Sequence, residues 1–245
     1  MPIAPQALEA IRVRVWSGFD DRDRIEDLAL DLVDEDDRVS FDALMAHAER
    51  EFARKAEAEA TWPAETDWDR LDRAFAALDA GGIIALHDEG VSRDEGLDGA
   101  VRARVVRPGE ADGFCLYQRP DVEAALRGDG LSIGYGAFSD PAAPRAGAEA
   151  ATAAIGRRVE AALRDAGFTV AWNGDPSERL LVKPFEWRRR TVHRPQVDGF
   201  APEFVSGPEA GSADGDGPPA SNAMPIGCLG GLLLLAIVLH LLGRC

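Results

Sequence analysis

The chain has 245 residues, a formal net charge of −16, 46% hydrophobic residues and 29% charged ones. That length allows one sizeable domain with extensions, or two small domains. So acidic a surface repels phosphate backbones and excludes nucleic acid as a natural partner. Its three cysteines, Cys115, Cys228 and Cys245, cannot build a disulfide framework.

Residues 1–61 read as a helical N-terminal segment. In "LEAIRVRVW", Ile11, Val13 and Val15 alternate like a strand, while Leu8, Ile11 and Val15 share one helix face; helix is the expectation. In "DRDRIEDLALDLV", Asp23 and Glu26 have capping-box spacing, and Ile25, Leu28, Ala29, Leu32 and Val33 recur at helical intervals. Ser40 then offers an N-cap to a third helix whose stripe is Phe41, Leu44, Met45, Ala48 and Phe52. Pro63 breaks the pattern.

Residues 62–197 alternate helices with strands. Thr66 and Asp69 repeat the capping-box spacing ahead of Trp68, Leu71, Phe75 and Leu78, and Gly81 is the expected stop. "GIIAL" reads as a short buried strand, "LDGAVRARVV" as a helix, "GFCLYQ" as a strand and "PDVEAALRG" as a short helix. "LSIGYGAF" follows as a strand weakened by two glycines. A long helix then carries Ala151, Ile155, Val159 and Leu163 on its apolar stripe. "FTVAW" and "RLLVKPFEW" read as strands joined by the turn "NGDPSE". The expected class is α+β with α/β-like alternation: a mixed sheet of four to five strands packed with helices.

Residues 198–224 are rich in Gly, Pro and Ser, with five acids and no base, and read as a disordered linker. Residues 225–245 end the sequence in "PIGCLGGLLLLAIVLHLLGRC". Ile226–Gly243 holds eight leucines, two isoleucines, one valine and no charge. As a helix it would be about 27 Å long, close to a hydrocarbon core of about 30 Å. The expectation is one transmembrane helix anchoring the chain in a lipid bilayer, with only Arg244 and Cys245 needing to cross; the same stretch also reads as an apolar tail that docks on the domain or aggregates. The start of the sequence lacks a basic stretch followed by an apolar one, so no signal peptide is expected. The main domain is then expected on the cytoplasmic side of the cell membrane.

The loop "LHDEGVSRDEG" follows the first strand, where such folds place their sites. His87, Asp88 and Glu89, with Asp94 and Glu95 beyond, supply imidazole and carboxylates for acid–base work; the same loop also reads as a solvated acidic turn. Its spacing fits no EF-hand or zinc pattern, so no metal site is expected. "GYGAFS" lacks the third glycine of a dinucleotide fingerprint, no GK[ST] occurs, and no cofactor is expected. There is no GxSxG elbow, and Cys115 between Phe114 and Leu116 reads as core. The ten acids from Asp20 to Asp37 read as a wet helix face, and Arg188, Arg189 and Arg190 as partners for lipid headgroups or for acids of the same fold.

The motif order "TWPAETDWDRLDRAFAALDAGGIIA", "LSIGYGAF", "IGRRVEAALRDAGFTVAWNGDPSERLLV" and "EWRRR", with "VRVWSGFD" as lead-in, resembles a bacterial family known only as a domain of unknown function. The resemblance implies an α/β domain of unassigned activity. It carries over no catalytic residue, because "HDEGVSRDEG" stands where relatives have a cysteine-rich segment. The function expected is a non-catalytic interaction or regulatory module with a protein partner. The alternative is a hydrolase in which His87, Asp88 and Glu89 converge with Tyr117, Tyr135 or Asn173 in a pocket.

Overall fold

The computed structural model describes residues 5–35, 40–107, 111–138 and 144–191. The linker and apolar segment expected at 198–245 lie outside the described residues, and no helix among the described residues is long and apolar enough to cross a membrane.

Three helices open the chain: α1 (Pro5–Ser17), α2 (Arg22–Glu35) and α3 (Phe41–Glu59). Ile11, Val15, Ile25, Ala29, Leu44 and Ala48 close a small core between them. The ambiguity of "LEAIRVRVW" resolves as helix because Ile11 and Val15, one turn apart, both enter that core. The start of α2 lies earlier than the spacing suggested: Asp21, not Asp23, takes the cap, its carboxylate accepting from Arg24 N at 3.1 Å. Ser40 occupies the N-cap position of α3, yet its side chain makes no capping bond.

The second layer is α+β, as expected. Helix α4 (Asp67–Ala80) begins with a true capping box, the Thr66 hydroxyl accepting from Asp69 N while Asp69 accepts from Thr66 N. Gly81 caps its end, and Gly82, with φ +90°, makes the left-handed turn into β1 (Ile83–Leu86). Next come α5 (Arg93–Val106), β2 (Gly113–Leu116), α6 (Arg119–Leu126), β3 (Leu131–Ala137), α7 (Arg145–Asp165), β4 (Val170–Ala171) and β5 (Leu180–Val182). The five strands form one mixed sheet in the order β1-β2-β3-β5-β4. Only β1 and β2 are parallel. The expected last strand is shorter than "RLLVKPFEW": a cis Lys183–Pro184 bond follows β5.

One face of the sheet packs on α4 and α7, burying Leu71, Phe75, Ile133, Ile155, Val159 and Leu163. At roughly 2 kcal/mol for each fully buried large aliphatic, such a cluster is the main source of stability. Glycines set the closest approaches. A Cβ at Gly156 of α7 would lie 2.7 Å from the Tyr135 ring and 2.8 Å from Trp172. A Cβ at Gly136 would lie 2.7 Å from the Phe114 ring, so this strand glycine marks tight packing.

The helical cluster is tied to this layer by polar contacts. The Trp187 indole donates to Ser17 O at 3.2 Å, and Arg119 reaches both Asp20 and Asp88. Asp20, inside the run read as a wet face, is buried and takes the Arg14 guanidinium through two bonds.

Candidate functional site

The loop after β1 sends its three leading polar side chains in three directions. His87 turns inward onto an aromatic wall, stacked on Phe75 with centroids 4.7 Å apart and close to Trp68 and Tyr117. Its Nδ1 lies 2.7 Å from the Tyr117 hydroxyl and its Nε2 3.2 Å from Asp72 Oδ1. The Trp68 indole donates to the same hydroxyl at 3.4 Å, leaving the phenol proton for Nδ1 and the ring proton of His87 for Asp72. Both ring nitrogens are thereby engaged. Burial holds the imidazole down to about 4, against the pull of Asp72. A neutral imidazole with no lone pair turned to solvent is a structural hinge of this wall, and is poorly placed as a general base.

Asp88 takes φ +51°, a left-handed conformation tolerated by aspartate, and its carboxylate meets the Arg119 guanidinium. Burial pushes its carboxyl up to about 6, outweighing Arg119. Glu89 lies flat on Gly99 of α5 and pairs with Arg102 at 3.1 Å. Asp94 and Glu95, expected in the loop, sit in the first turn of α5. There Glu95 N donates to Ser92 Oγ at 3.4 Å and Glu95 accepts from Val91 N. The S-x-x-E spacing of Ser92 and Glu95 is a helix-start signature, and it begins α5 inside the expected loop.

Two cations, Arg189 and Lys55, lie behind this wall, and Arg189 meets rings where the sequence suggested lipid headgroups or acids. Arg189 lies between the Phe19 and Trp68 rings, 4.0 and 4.7 Å from their centroids. Its Nε and Nη1 are buried without a hydrogen-bond partner among the described residues, and burial lowers its pKa. Its neighbours Arg188 and Arg190 pair with Glu186 and Asp69, so acids of the same fold engage them. Lys55 is fully buried, donating to Val15 O at 3.2 Å, and burial brings it down to about 8. Cys115 is also fully buried, with its thiol pushed up by burial, as core cysteines are. No group of three or more potential metal ligands occurs among the described residues.

A broad concavity lies elsewhere, beside β3. It is an open groove of about 1180 Å³ whose floor includes Phe114, Leu116, Gly134 and Gly136. Leu97 of α5 forms part of one wall and the turn from Asn173 to Arg179 forms part of another. Tyr135 and Asn173, named with His87 from sequence, line this groove, while Tyr117 joins His87. The turn is fixed by its own bonds: Asp175 O accepts from the Tyr135 hydroxyl at 3.0 Å and from the Trp172 indole at 3.1 Å.

The groove holds an open strand edge. Phe138 N donates to Asp112 O, so even-numbered residues of β3 face β2. Lys183 N donates to Thr169 O, so Leu180 and Val182 face β3, opposite Ile133 and Leu131. The odd residues of β3 therefore face the β5 side, and β5 begins only at Leu180. No described strand pairs with the main-chain groups of Tyr135 and Ala137 on that side.

A helical lead-in docked on a mixed α+β sheet, with a groove at a shortened strand, defines a small domain without a recognisable catalytic constellation among its described residues. The chain belongs to the family described as a domain of unknown function (DUF6891), whose model matches residues 3–191. The match takes in the N-terminal helices as well as the sheet. No curated protein and no solved structure matches the chain.

Proposed function

We propose that the chain is a non-catalytic interaction module whose ligand is an extended peptide segment of a protein partner, bound in the groove beside β3. The observation that carries this reading is the edge at Tyr135 and Ala137 inside that groove, which no strand among the described residues pairs. Its two N–H and two C=O groups suit an added strand. The groove's volume exceeds the ~300–1,000 Å³ usual for small-molecule sites, which favours a longer ligand. Divergence of His87, Asp88 and Glu89 weighs against the hydrolase alternative.

In the same reading Ile226–Gly243 tethers the domain to the cell membrane as a single span, with the domain on the cytoplasmic side and the acidic linker holding it off anionic lipid. The support is the uncharged sequence itself.

Gly134 provides the test of the groove. A Cβ there meets Arg179 at 3.7 Å and Leu116 at 3.8 Å, ordinary contacts, so Gly134→Val fits the strand while filling the floor. Peptides selected from a random heptapeptide library on the wild-type chain should bind Gly134→Val at least tenfold more weakly, at unchanged thermal midpoint. Equal binding by both proteins would remove the groove from the account. Carbonate-resistant pelleting of the full chain, absent from a chain ending at Ala223, is expected for the tether; pelleting of both or neither contradicts it.

A further inference from the structure

The floor of the groove beside β3 holds two glycines in different surroundings. Gly136 pairs with Phe114 across the ladder and Gly134 with Leu116, so all four lie on one face of the sheet. The Phe114 ring covers Gly136: a Cβ there would stand 2.7 Å from its Cε1 and Cζ. Gly134 has no such cover. The atoms nearest to its Cβ position are Arg179 Nε at 3.7 Å and Leu116 Cδ1 at 3.8 Å. One step beyond the last pair of β3 with β5, Ile133 with Leu180, Arg179 comes opposite Gly134. Its guanidinium donates to Asp121 at 2.5 Å and to Ser132 O at 3.1 Å, which fixes it beside the bare glycine. A ligand carboxylate would compete with Asp121 for those N–H groups, whereas an aromatic ring uses the guanidinium plane.

Charge on the turn has the opposite sign. Glu149 of the groove is spent on Arg145 at 2.7 Å, and the Asp175 carboxylate accepts from Ser177 N and Oγ. Neither Asp175 nor Glu178 meets a cation among the described residues. Tyr135, at the open edge, feels both: burial pushes its phenol up, and the charges of Asp175 and Glu178 add to that.

Resting on the strand addition proposed above, we infer that the partner segment is basic and carries one aromatic residue, whose ring lies over Gly134 between Leu116 and the Arg179 guanidinium while a lysine or arginine pairs with Glu178. Charge complementarity selects this occupant. The chain's net charge of −16 draws a cationic segment from a distance and repels a second copy of itself. At close range an acidic segment would meet Asp175 and Glu178 as like charges. The shape of the floor selects the ring. Aromatic side chains cover bare glycines in sheets, as Phe114 covers Gly136, and one ring buries roughly 150–250 Å². An aliphatic residue would cover Gly134 but forgo the attraction of the cation.

The heptapeptides selected on the wild-type chain supply the probes. The tightest should share an aromatic residue at one fixed position and carry a net positive charge. Changing that aromatic residue to leucine should weaken binding about tenfold on the wild type. On Gly134→Val, whose side chain fills the same space, the change should cost less than threefold. Equal losses on both proteins would overturn the inference, because the ring would then lie elsewhere. Glu178→Gln should weaken the basic peptides about threefold at low salt, a difference that 0.5 M sodium chloride erases; an unchanged affinity at low salt would overturn the pairing. Selected peptides that are acidic, or that lack an aromatic residue, would also overturn the inference, yet strand addition would stand if they remain sensitive to Gly134→Val. Failure of every peptide to bind the wild type would remove both. Dimerisation of the wild type that Gly134→Val abolishes would assign the groove to a second copy and overturn the inference as well.

Discussion

Replacing His87 with phenylalanine isolates one titration. The ring is a near match in size and keeps the stacking on Phe75 and the contact with Trp68. It loses the bond to the Tyr117 hydroxyl and the one to Asp72, and two such bonds, one half-exposed, amount to about 1 kcal/mol net. Against this stands the proton. The imidazole titrates near 4 in the fold instead of 6.5, so the unfolded chain binds it first as pH falls. The stability that the neutral ring contributes is complete above pH 6.5 and is lost progressively towards pH 4. At about 1.4 kcal/mol per unit, the wild type gives up about 1 kcal/mol at pH 6 and about 2 kcal/mol at pH 5. His87→Phe does not. The variant should therefore be about 1 kcal/mol less stable than wild type at pH 7.5, equal near pH 6, and about 1 kcal/mol more stable at pH 5. Urea unfolding of chains ending at Ala223, across that range, measures the difference. Asp88, which also titrates near 6, contributes equally to both proteins and cancels. A difference that does not change with pH would refute the buried neutral imidazole.

Two further substitutions probe the packing around the site. Lys55→Met should raise stability at pH 7 by roughly 1–3 kcal/mol, since it removes a buried cation whose folded pKa is about 8 instead of 10.5. In wild type, stability should climb as pH rises from 8 to 10.5, because the unfolded chain holds the proton longer; denaturant midpoints of Lys55→Met should lack that rise. Gly156→Ala gains about 1 kcal/mol of helix propensity but drives a methyl into Tyr135 and Trp172, at a cost of about 1–3 kcal/mol. A lowered thermal midpoint with altered Trp172 fluorescence is expected; a raised midpoint would show that this contact has slack.

Local signals carried most of the fold. The Thr66–Asp69 cap, the stripe Ile155–Val159–Leu163 and the strands at Ile83, Gly113 and Leu131 are each written within a few residues, and they appear where the spacing puts them. What failed to show in the sequence depends on distant partners. Strand β5 stops at Val182, ahead of the cis bond at Pro184. Asp20 looks like one more acid of a wet run until Arg14 and Arg119 close on it. The candidate site divides the same way. His87 was visible as an isolated imidazole after a strand, but its partners Tyr117 and Asp72 lie 30 and 15 positions away in opposite directions. The sandwich of Arg189 by Phe19 and Trp68 spans most of the domain. The open edge beside Tyr135 is a mismatch between the lengths of two strands, a property of pairing and not of either segment.

Main-chain recognition at that edge can be tested apart from any side chain. The tightest peptide selected on the groove should be resynthesised with single backbone N-methyl groups at successive positions, and each version titrated against the wild-type chain by calorimetry. An added strand turns alternate N–H groups towards its neighbour, so methylation should weaken binding at least tenfold at every second residue and leave the residues between nearly unaffected. Uniform sensitivity along the peptide, or none at all, would contradict strand addition to β3 and with it the function proposed for this domain.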